Sequence, residues 1–148
     1  MRFIPINLDN VKNAAMMFVG IANQEPWNGN WTYSSAYARL FTIAKSIGFT
    51  GFITMDNNGL PCGFVMGNTK NRADGGLDFV ICEMCYQNND MGHAYARKTL
   101  EYLEEQLAMR HIVRILYMEE GGAGVADYFN SLNFSKIENV VVVEKRIN

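Results

Sequence analysis

The sequence has little of what marks membrane-spanning, secreted or general nucleic-acid-binding proteins. It contains no apolar run near the roughly 18 residues needed to span a bilayer. Its first ten residues, MRFIPINLDN, are too polar for a secretory signal peptide. Three cysteines, an odd number, do not make a disulfide framework and predict a reduced, cytoplasmic setting. A net charge of −2 with 19% charged residues argues against general binding to nucleic acids or anionic membranes.

What the sequence does contain is enough apolar material for one core. Of its 148 residues, 49% are hydrophobic, and the length fits one ordinary domain. There is no internal repeat and no low-complexity linker. We therefore predict a single soluble globular domain over residues 1–148.

Hydrophobic periodicity and turn residues divide the chain into alternating strands and helices. Asp9 or Asn10 can cap a first helix and Thr32 a second, with QEPWNGNW breaking the chain between them. Two β-rich runs flank Asn58–Gly59 and predict a hairpin, with a loop that can exceed two residues. The complete order is β-α-α-β-β-β-α-β-α-β, with strands over 1–8, within 49–70, and over 77–86, 112–118 and 139–145, and later helices over 88–107 and 125–132. This order predicts an α/β or α+β fold, with helices packed on a central sheet.

The helix that follows the 77–86 run carries its basic residues at the unfavourable end. Helix N-termini favour acidic neighbours, yet His93, Arg97 and Lys98 lie in the first turns. One interpretation is an anion site, since a helix start supplies free N–H groups and a favourable dipole. The other is that Arg97 and Lys98 pair with glutamates one turn later, at about 0.2–0.5 kcal/mol per pair. Asp90 argues against the anion site, because its carboxylate would repel a phosphate.

The segment EMCYQNNDMGHAYARKTLEYLEEQL resembles the acetyl-CoA-binding segment of the GNAT superfamily of N-acetyltransferases. In that family an acidic residue on the fourth strand precedes a loop of the form Q/R-x-x-G-x-G/A, which enters a helix. Met91, Ala94 and Ala96 fall at the motif positions. EPWN with Trp31 is similar to the turn between the first two helices of a bacterial subgroup. VADYFNSLNF is similar to the family's A-x-x-F-Y-x-K-x-G-F segment, and ENVVVVEK to its closing strand, so the resemblance covers nearly the whole chain.

The resemblance implies a mixed central sheet flanked by about four helices, with strands four and five splayed to hold acetyl-CoA as a co-substrate. It implies no metal. Two motif positions depart from the family: Met91 replaces Gln or Arg, and Ala94 replaces a glycine. Alanine keeps its N–H, and only a left-handed backbone there would cost about 1–2 kcal/mol. The cofactor contacts that the resemblance implies are Met84, Cys85, Tyr86, Met91, Gly92, His93, Ala94, Tyr95, Ala96 and Arg97.

For catalysis, the resemblance places Glu83 on the strand that faces the cofactor, as a general base or proton relay. The alternative is a glutamate that pairs with a nearby cation or faces solvent beside the strand. Many family members use a tyrosine to protonate the leaving thiolate, but Phe129 holds that position here. The neighbouring Tyr128 points about 100° away on a helix, so we expect it in the core or the cleft wall. Water or another group would then protonate the thiolate.

For the acceptor, the resemblance places Glu25, Trp27 and Trp31 in the segment that usually lids the amine site. It places Glu119 at the mouth of the cleft, where a solvated turn is an equal alternative. An acid among aromatic rings suits an organic cation, and anchoring of the first two helices is an equal alternative. The C-x-x-C pair of Cys82 and Cys85 is disfavoured as a metal or redox site, because such a pair on a regular strand points to opposite faces.

The implied function is transfer of an acetyl group from acetyl-CoA to a primary amine of a small molecule or peptide, by direct attack on the thioester. The alternative is a degenerate GNAT-fold domain that binds a ligand or partner without catalysis. A homodimer is compatible with either. The sequence determines neither the acceptor nor the oligomeric state.

Overall fold

The computed structural model describes residues 1–118 and 123–147, and the mixed α/β sheet predicted from the sequence is confirmed. Strands follow the order β1-β2-β3-β4-β5, antiparallel from β1 to β4 and parallel between β4 and β5. Within the described chain the elements are β1 (Arg2–Pro5), α1 (Val11–Ala22), α2 (Tyr33–Ala44), β2 (Phe49–Met55), β3 (Pro61–Asn71), β4 (Leu77–Tyr86), α3 (Asp90–Ala108), β5 (Ile115–Tyr117) and α4 (Ala123–Ser131).

Helices cover both faces of this sheet and bury two apolar clusters. Helices α1 and α2 pack on one face, where Val11, Ala14 and Phe18 repeat at the spacing of a helical stripe. On the other face α3 contributes Leu100, Leu103 and Leu107, and α4 packs beside it. In the sequence, apolar residues three and four positions apart predict a buried face for α1 and for α3, and the structure confirms both.

Asn10 and Thr32 are confirmed as the residues that precede α1 and α2, but only Thr32 forms a capping hydrogen bond with its side chain. Thr32 accepts a hydrogen bond from the Ser35 amide at 3.1 Å and forms a capping box with it. Asn10 precedes α1, but its side chain makes no bond to that helix. It instead accepts from the Asn7 amide at 2.8 Å and donates to the Pro5 carbonyl at 2.9 Å. Strand β1 ends at Pro5, earlier than the predicted strand over 1–8, and one further backbone bond joins the Ile6 amide to the Gly51 carbonyl at 2.9 Å.

The predicted closing strand over 139–145 is wrong in this structure. That segment has no strand, and Val141 and Val143 are 82% and 85% exposed. A strand needs the edge of a neighbouring strand to pair with. Strand β5 spans only Ile115–Tyr117, which is shorter than the predicted 112–118. A continuous valine run also has no apolar–polar alternation to specify which face is buried.

The splay between strands four and five is confirmed by the pairing. Strand β5 pairs with β4 only through Phe79↔Ile115, Val80↔Leu116 and Ile81↔Tyr117. Beyond that point β4 continues through residues 82–86 with β3 as its only neighbour among the described strands. Among the described residues, one hydrogen-bonding edge of β4 therefore has no strand beside it over residues 82–86.

The paired half of these strands is held by a carboxylate between two arginines. Asp78 is buried at the start of β4 and accepts from Arg72 Nη1 at 2.9 Å, Arg114 Nε at 3.0 Å and Arg114 Nη2 at 2.5 Å. The Arg114 hydrogen bonds, joined by those of Arg72, lower the pKa of Asp78 from 3.8 to about 2. Because Arg114 directly precedes β5, this network fixes where the parallel pair begins.

We expect Asp78 to make the fold acid-sensitive in a defined window. Its pKa is lower in the folded chain, so the ionised form favours folding, and this stabilisation is complete only above the ordinary value of 3.8. It is lost as the pH falls from about 4 to about 2. Urea unfolding at pH 7, 4, 3 and 2 should show a steeper loss for the natural chain than for Asp78→Asn. The exposed Asp9→Asn change is the control and should leave the pH dependence unaltered.

A buried chain of hydroxyl groups ties α3 to the sheet. Thr99 donates to the Tyr95 carbonyl at 2.8 Å, so its oxygen must accept from Thr54 at 2.7 Å. The Thr54 oxygen then accepts from the Tyr86 hydroxyl at 2.8 Å. The hydroxyls of Thr54, Tyr86 and Thr99 are thereby all hydrogen-bonded, and the middle of α3 is held against the end of β4.

Within the described ranges 1–118 and 123–147, no helix is both long and apolar enough to cross a membrane.

Candidate active site

A β-bulge directly before Glu83 decides which way this side chain points. Met66 pairs with Glu83, whereas the next β3 residue, Gly67, pairs with Ile81, so Cys82 is an extra residue on β4. In a regular strand Glu83 would share a face with Ile81, which packs on the α3 side. The bulge turns Glu83 to the opposite face, toward α1 and α2.

On that face, Glu83 forms an ion pair with Arg39 of α2. Arg39 Nε donates to Glu83 Oε1, across 44 positions of sequence. The Glu83 side chain is 10% exposed and that of Arg39 is 46% exposed, so the pair lies at the edge of the interior. The cation-pairing alternative raised for Glu83 is therefore present, and sequence reasoning missed Arg39 because nothing local marks it.

Glu83 also borders a cavity of about 200 Å³ between the sheet and the first two helices. The cavity walls come from α1, from the loop between α1 and α2, and from β4. Trp27 and Trp31, both predicted at the acceptor site, are among its lining residues. The complete lining is Phe18, Ile21, Ala22, Trp27, Gly29, Trp31, Glu83, Met84 and Cys85. A carboxylate at the edge of an aromatic pocket is suited to a small organic amine.

The loop that carries the two tryptophans is held by residues the sequence did not single out. The Asn23 side chain accepts from the Trp31 amide at 2.8 Å and donates to the Trp31 carbonyl at 2.9 Å. A Cβ on Gly29 would lie 2.7 Å from Trp31 Cδ1 and 2.9 Å from the Ala22 carbonyl oxygen. Only glycine allows the backbone to come this close to Trp31 and Ala22. The signal for this contact in the sequence was a glycine close to a tryptophan.

At the start of α3, few of the amides predicted to hold a diphosphate are open. The helix begins at Asp90, so the amides of residues 94–96 lie past the first turn, where α-helical N–H groups bond within the helix. The Gly92 amide donates to Asn89 Oδ1 at 2.8 Å and that of His93 to the Asn89 carbonyl at 2.9 Å. The amides of Asp90 and Met91 have no acceptor among the described residues. This two-amide site is narrower than the one predicted over 91–96.

The basic side chains of α3 bind protein groups in this structure. Lys98 pairs with Glu101 at 3.5 Å, as the pairing alternative proposed. Arg97 donates to the carbonyl of Ser131, the last residue of α4, at 3.3 Å. His93 lies 3.5 Å from the Ser131 hydroxyl and 3.0 Å from Asn88 Oδ1. Arg97 therefore lies at the negative end of α4, which offsets the unfavourable position of this cation near the start of α3.

Tyr128 of α4 is confirmed as a buried core residue, with one unexpected property. It is 2% exposed, and its ring lies edge-on to Trp27 at 5.2 Å and to His93 at 4.9 Å. Its hydroxyl is the one buried side-chain polar atom without a hydrogen-bond partner in the described parts of the chain. Burial raises the pKa of Tyr128 well above its usual range, and the nearby Tyr86 and Cys85 add to this. An unpartnered buried hydroxyl is a rare and costly feature.

The remaining predicted residues are dispersed. Glu25 is exposed and does not line the cavity, and Glu119 lies outside the described residues. Met84, Cys85 and Tyr86 are buried on β4 beside the cleft, whereas Met91 is 65% exposed. The described residues contain no group of three or more His, Cys, Asp or Glu side chains placed to hold a metal ion.

Comparison with known proteins connects this arrangement to one group of folds. No family model and no curated protein sequence matches the chain. Solved structures do match it over the whole length. A probable acetyltransferase is 14% identical with a TM-score of 0.76, and the match covers 100% of this chain and 99% of the acetyltransferase chain. The ribosomal-protein-alanine N-acetyltransferase of Brucella melitensis biovar Abortus 2308 is 9% identical with a TM-score of 0.74, covering 99% and 100%.

An aminoglycoside antibiotic 6′-N-acetyltransferase from Acinetobacter haemolyticus is 10% identical with a TM-score of 0.74, and all of each chain is covered. At these identities the likeness concerns architecture and leaves substrate open. The strand order, the splay after Ile81 and these neighbours agree: the chain has the fold of the GNAT-type N-acetyltransferases.

Proposed function

We propose that this protein is an N-acetyltransferase that moves an acetyl group from acetyl-CoA to a primary amine of a small molecule or peptide. The observation that carries the proposal is the position of Glu83. It lies on residues 82–86 of β4, which are not paired with β5 in the described chain, and it borders the aromatic cavity. A proton acceptor and an open strand edge thus lie together at one end of the sheet.

In this proposal, acetyl-CoA binds along the open edge of β4. Backbone N–H and C=O groups of residues 82–86 can pair with an extended amide-containing chain as an added strand would, and can polarise a thioester carbonyl. The unpaired amides of Asp90 and Met91 offer donors to phosphate oxygens at the start of α3. The Asp90 carboxylate opposes an anion there, so we expect modest affinity for the nucleotide part.

On the acceptor side, Glu83 takes a proton from the incoming ammonium group. A free amine then attacks the thioester carbon, a C–N bond forms, and the C–S bond breaks to release the thiolate. Positioned proton transfer of this kind is worth about 10²–10⁴ in rate. The three cysteines are free thiols and take no step in this chemistry, and their state fits the reducing, cytoplasmic setting that we propose.

Tyr128 supplies the hydrogen-bond donor that the sequence left unassigned. Its raised pKa makes it a poor proton donor to a thiolate, whose conjugate acid has a pKa of about 8.5. A neutral buried hydroxyl can still donate a hydrogen bond to charge developing on sulfur or oxygen without losing its proton. Its position against Trp27, a wall of the cavity, supports this role.

Tyr128→Phe should make the protein more stable and less active. Removing an unsatisfied buried hydroxyl should raise the free energy of unfolding by about 1 kcal/mol, and losing the donor should lower kcat by about 10²-fold. Urea unfolding and steady-state thiol release measure the two effects. Tyr33→Phe, on the exposed side of α2, is the matched control and should change neither. A fully active Tyr128→Phe protein would reduce Tyr128 to a packing residue.

One observation favours the alternative, a GNAT-fold domain that binds a ligand or partner without catalysis. Asn89 engages two of the amides predicted to hold the diphosphate, and helix α3 engages three more. In that case CoA would have little affinity for the chain. The two functions therefore differ in a property that can be measured without knowing the acceptor.

Thermal unfolding with acetyl-CoA, with CoA and with adenosine alone separates them. A ligand at 100 times its dissociation constant stabilises a protein by about 2.7 kcal/mol. The enzyme requires stabilisation by CoA and acetyl-CoA, together with thiol release in a panel of amino acids, peptides, polyamines and aminoglycosides. Unchanged unfolding at millimolar CoA would remove the acetyl-transfer proposal and leave the binding domain.

A further inference from the structure

The guanidinium group of Arg39 lies beside the acceptor cavity with most of its donors unused. Of its five N–H groups, the Nε–H is bound to Glu83. Across residues 1–118 and 123–147, the two terminal nitrogens Nη1 and Nη2 make no hydrogen bond. The Arg39 side chain is 46% exposed, so a ligand can reach it from solvent.

Two contacts hold the guanidinium in place before any ligand arrives. Its Cζ lies 5.9 Å from the centroid of the Trp31 ring, within cation–π range. Trp31 is itself fixed by both of its hydrogen bonds to Asn23. A planar fork that is already oriented loses little freedom on binding, which favours bidentate recognition of an anionic group.

The charges at the cavity then restrict the acceptor. A ligand carrying only positive charge would place its ammonium group at Glu83 and also beside the Arg39 cation, which repels it. A ligand with an anionic group next to its amine satisfies both side chains. The acid and the fork are adjacent, so the two ligand groups must be close to each other as well.

We infer that the acceptor is an α-amino acid, with its amine at Glu83 and its carboxylate on Nη1 and Nη2 of Arg39. This inference rests on the proposed acetyl transfer and names its substrate class. The cavity has a volume of about 200 Å³, and its walls include Phe18, Ile21 and Trp27. We therefore expect the amino acid that binds there to have an apolar side chain. The reaction forms an N-acetyl amino acid, as the amine nitrogen bonds to the acetyl carbon, the C–S bond breaks and the thiolate leaves.

Matched pairs of acceptors test this. L-leucine and L-phenylalanine are compared with L-leucinamide and L-phenylalaninamide, which keep the side chain and lose the negative charge, and spermidine represents a pure polycation. The amides have less basic amines, so free-amine chemistry alone favours them. We expect kcat/KM for each acid to exceed that of its amide by at least about tenfold, a factor that one charged hydrogen-bonding group supplies.

The variants locate this preference. Arg39→Gln should bring the acid-to-amide ratio to about 1 or below, whatever happens to the absolute rate through Glu83, and Arg39→Lys should keep part of the preference for the acid. Lys45→Gln is the matched control. Lys45, like Arg39, is a cation over an aromatic ring, but it lies at the C-terminal end of α2. This variant should keep the full ratio.

The same ligands are also compared by their stabilisation of the CoA-bound protein, which requires no turnover. Greater stabilisation by the acids, lost in Arg39→Gln, supports the inference. Equal effects of acids and amides, or faster turnover of spermidine, overturn it while leaving acetyl transfer intact. Failure of CoA itself to stabilise the protein would overturn both.

Discussion

Glu83→Gln should lower kcat/KM by roughly 10²–10⁴-fold while leaving acetyl-CoA binding in place. Glutamine keeps the size of the side chain but cannot accept a proton, so the loss measures proton transfer from the amine. The pH–rate profile of the variant should differ from that of the natural protein, because the proton acceptor has been removed. Steady-state thiol release across the pH range, with CoA binding measured in parallel, gives both quantities.

Two controls separate this chemistry from the ion pair that Glu83 also forms. Glu101→Gln removes an exposed glutamate paired with Lys98 and should leave the rate unchanged. Urea unfolding of Glu83→Gln measures the cost of leaving Arg39 without its partner. A variant with the same pH–rate profile as the natural protein would show that Glu83 serves the ion pair alone.

Gly67→Ala should damage both stability and activity, because Gly67 lies opposite the bulge that orients Glu83. A Cβ at this position would lie 2.2 Å from the Val80 carbonyl oxygen and 2.9 Å from Ile81 Cα, so the backbone of β4 must move. Crowding of this kind costs about 1–3 kcal/mol. A shift of about 1 Å at the reacting groups can cost about 10²-fold in rate. Urea unfolding and kcat/KM measure the two losses.

Gly20→Ala is the matched glycine change. Gly20 lies inside α1, and nothing stands within 4 Å of the position its Cβ would take. Alanine favours a helix interior over glycine by roughly 0.5–1 kcal/mol, so this variant should be as stable as the natural chain or more so. If Gly67→Ala also kept normal stability and activity, the register of the bulge would not matter for the site.

Several features of the fold could be predicted because they depend on neighbouring residues. The hairpin at Asn58–Gly59 is confirmed, with Gly59 at a φ of +79° and a loop longer than two residues between Met55 and Pro61. The apolar stripes of α1 and α3 are confirmed for the same reason, since residues three and four apart share a helix face. The splay of strands four and five came from the family resemblance, and the pairing agrees with it.

The candidate site was only partly accessible to such reasoning. Glu83, Trp27 and Trp31 were identified as site residues and do meet at one cavity. Arg39 was not, because its partner lies 44 positions away and neither residue has a local pattern that marks the pair. Gly67 was the overlooked signal, since a glycine inside a strand often indicates a bulge.

By itself, the sequence determined the order of the elements from β1 to α4 and the buried faces of α1 and α3. These follow from side-chain spacing over two to four residues. Only the tertiary structure decided the direction of Glu83, the pairing of Arg97 with the end of α4, and the absence of a strand over 139–145. Each of these depends on which distant backbone or side chain is available as a partner, and no periodicity along the chain records that.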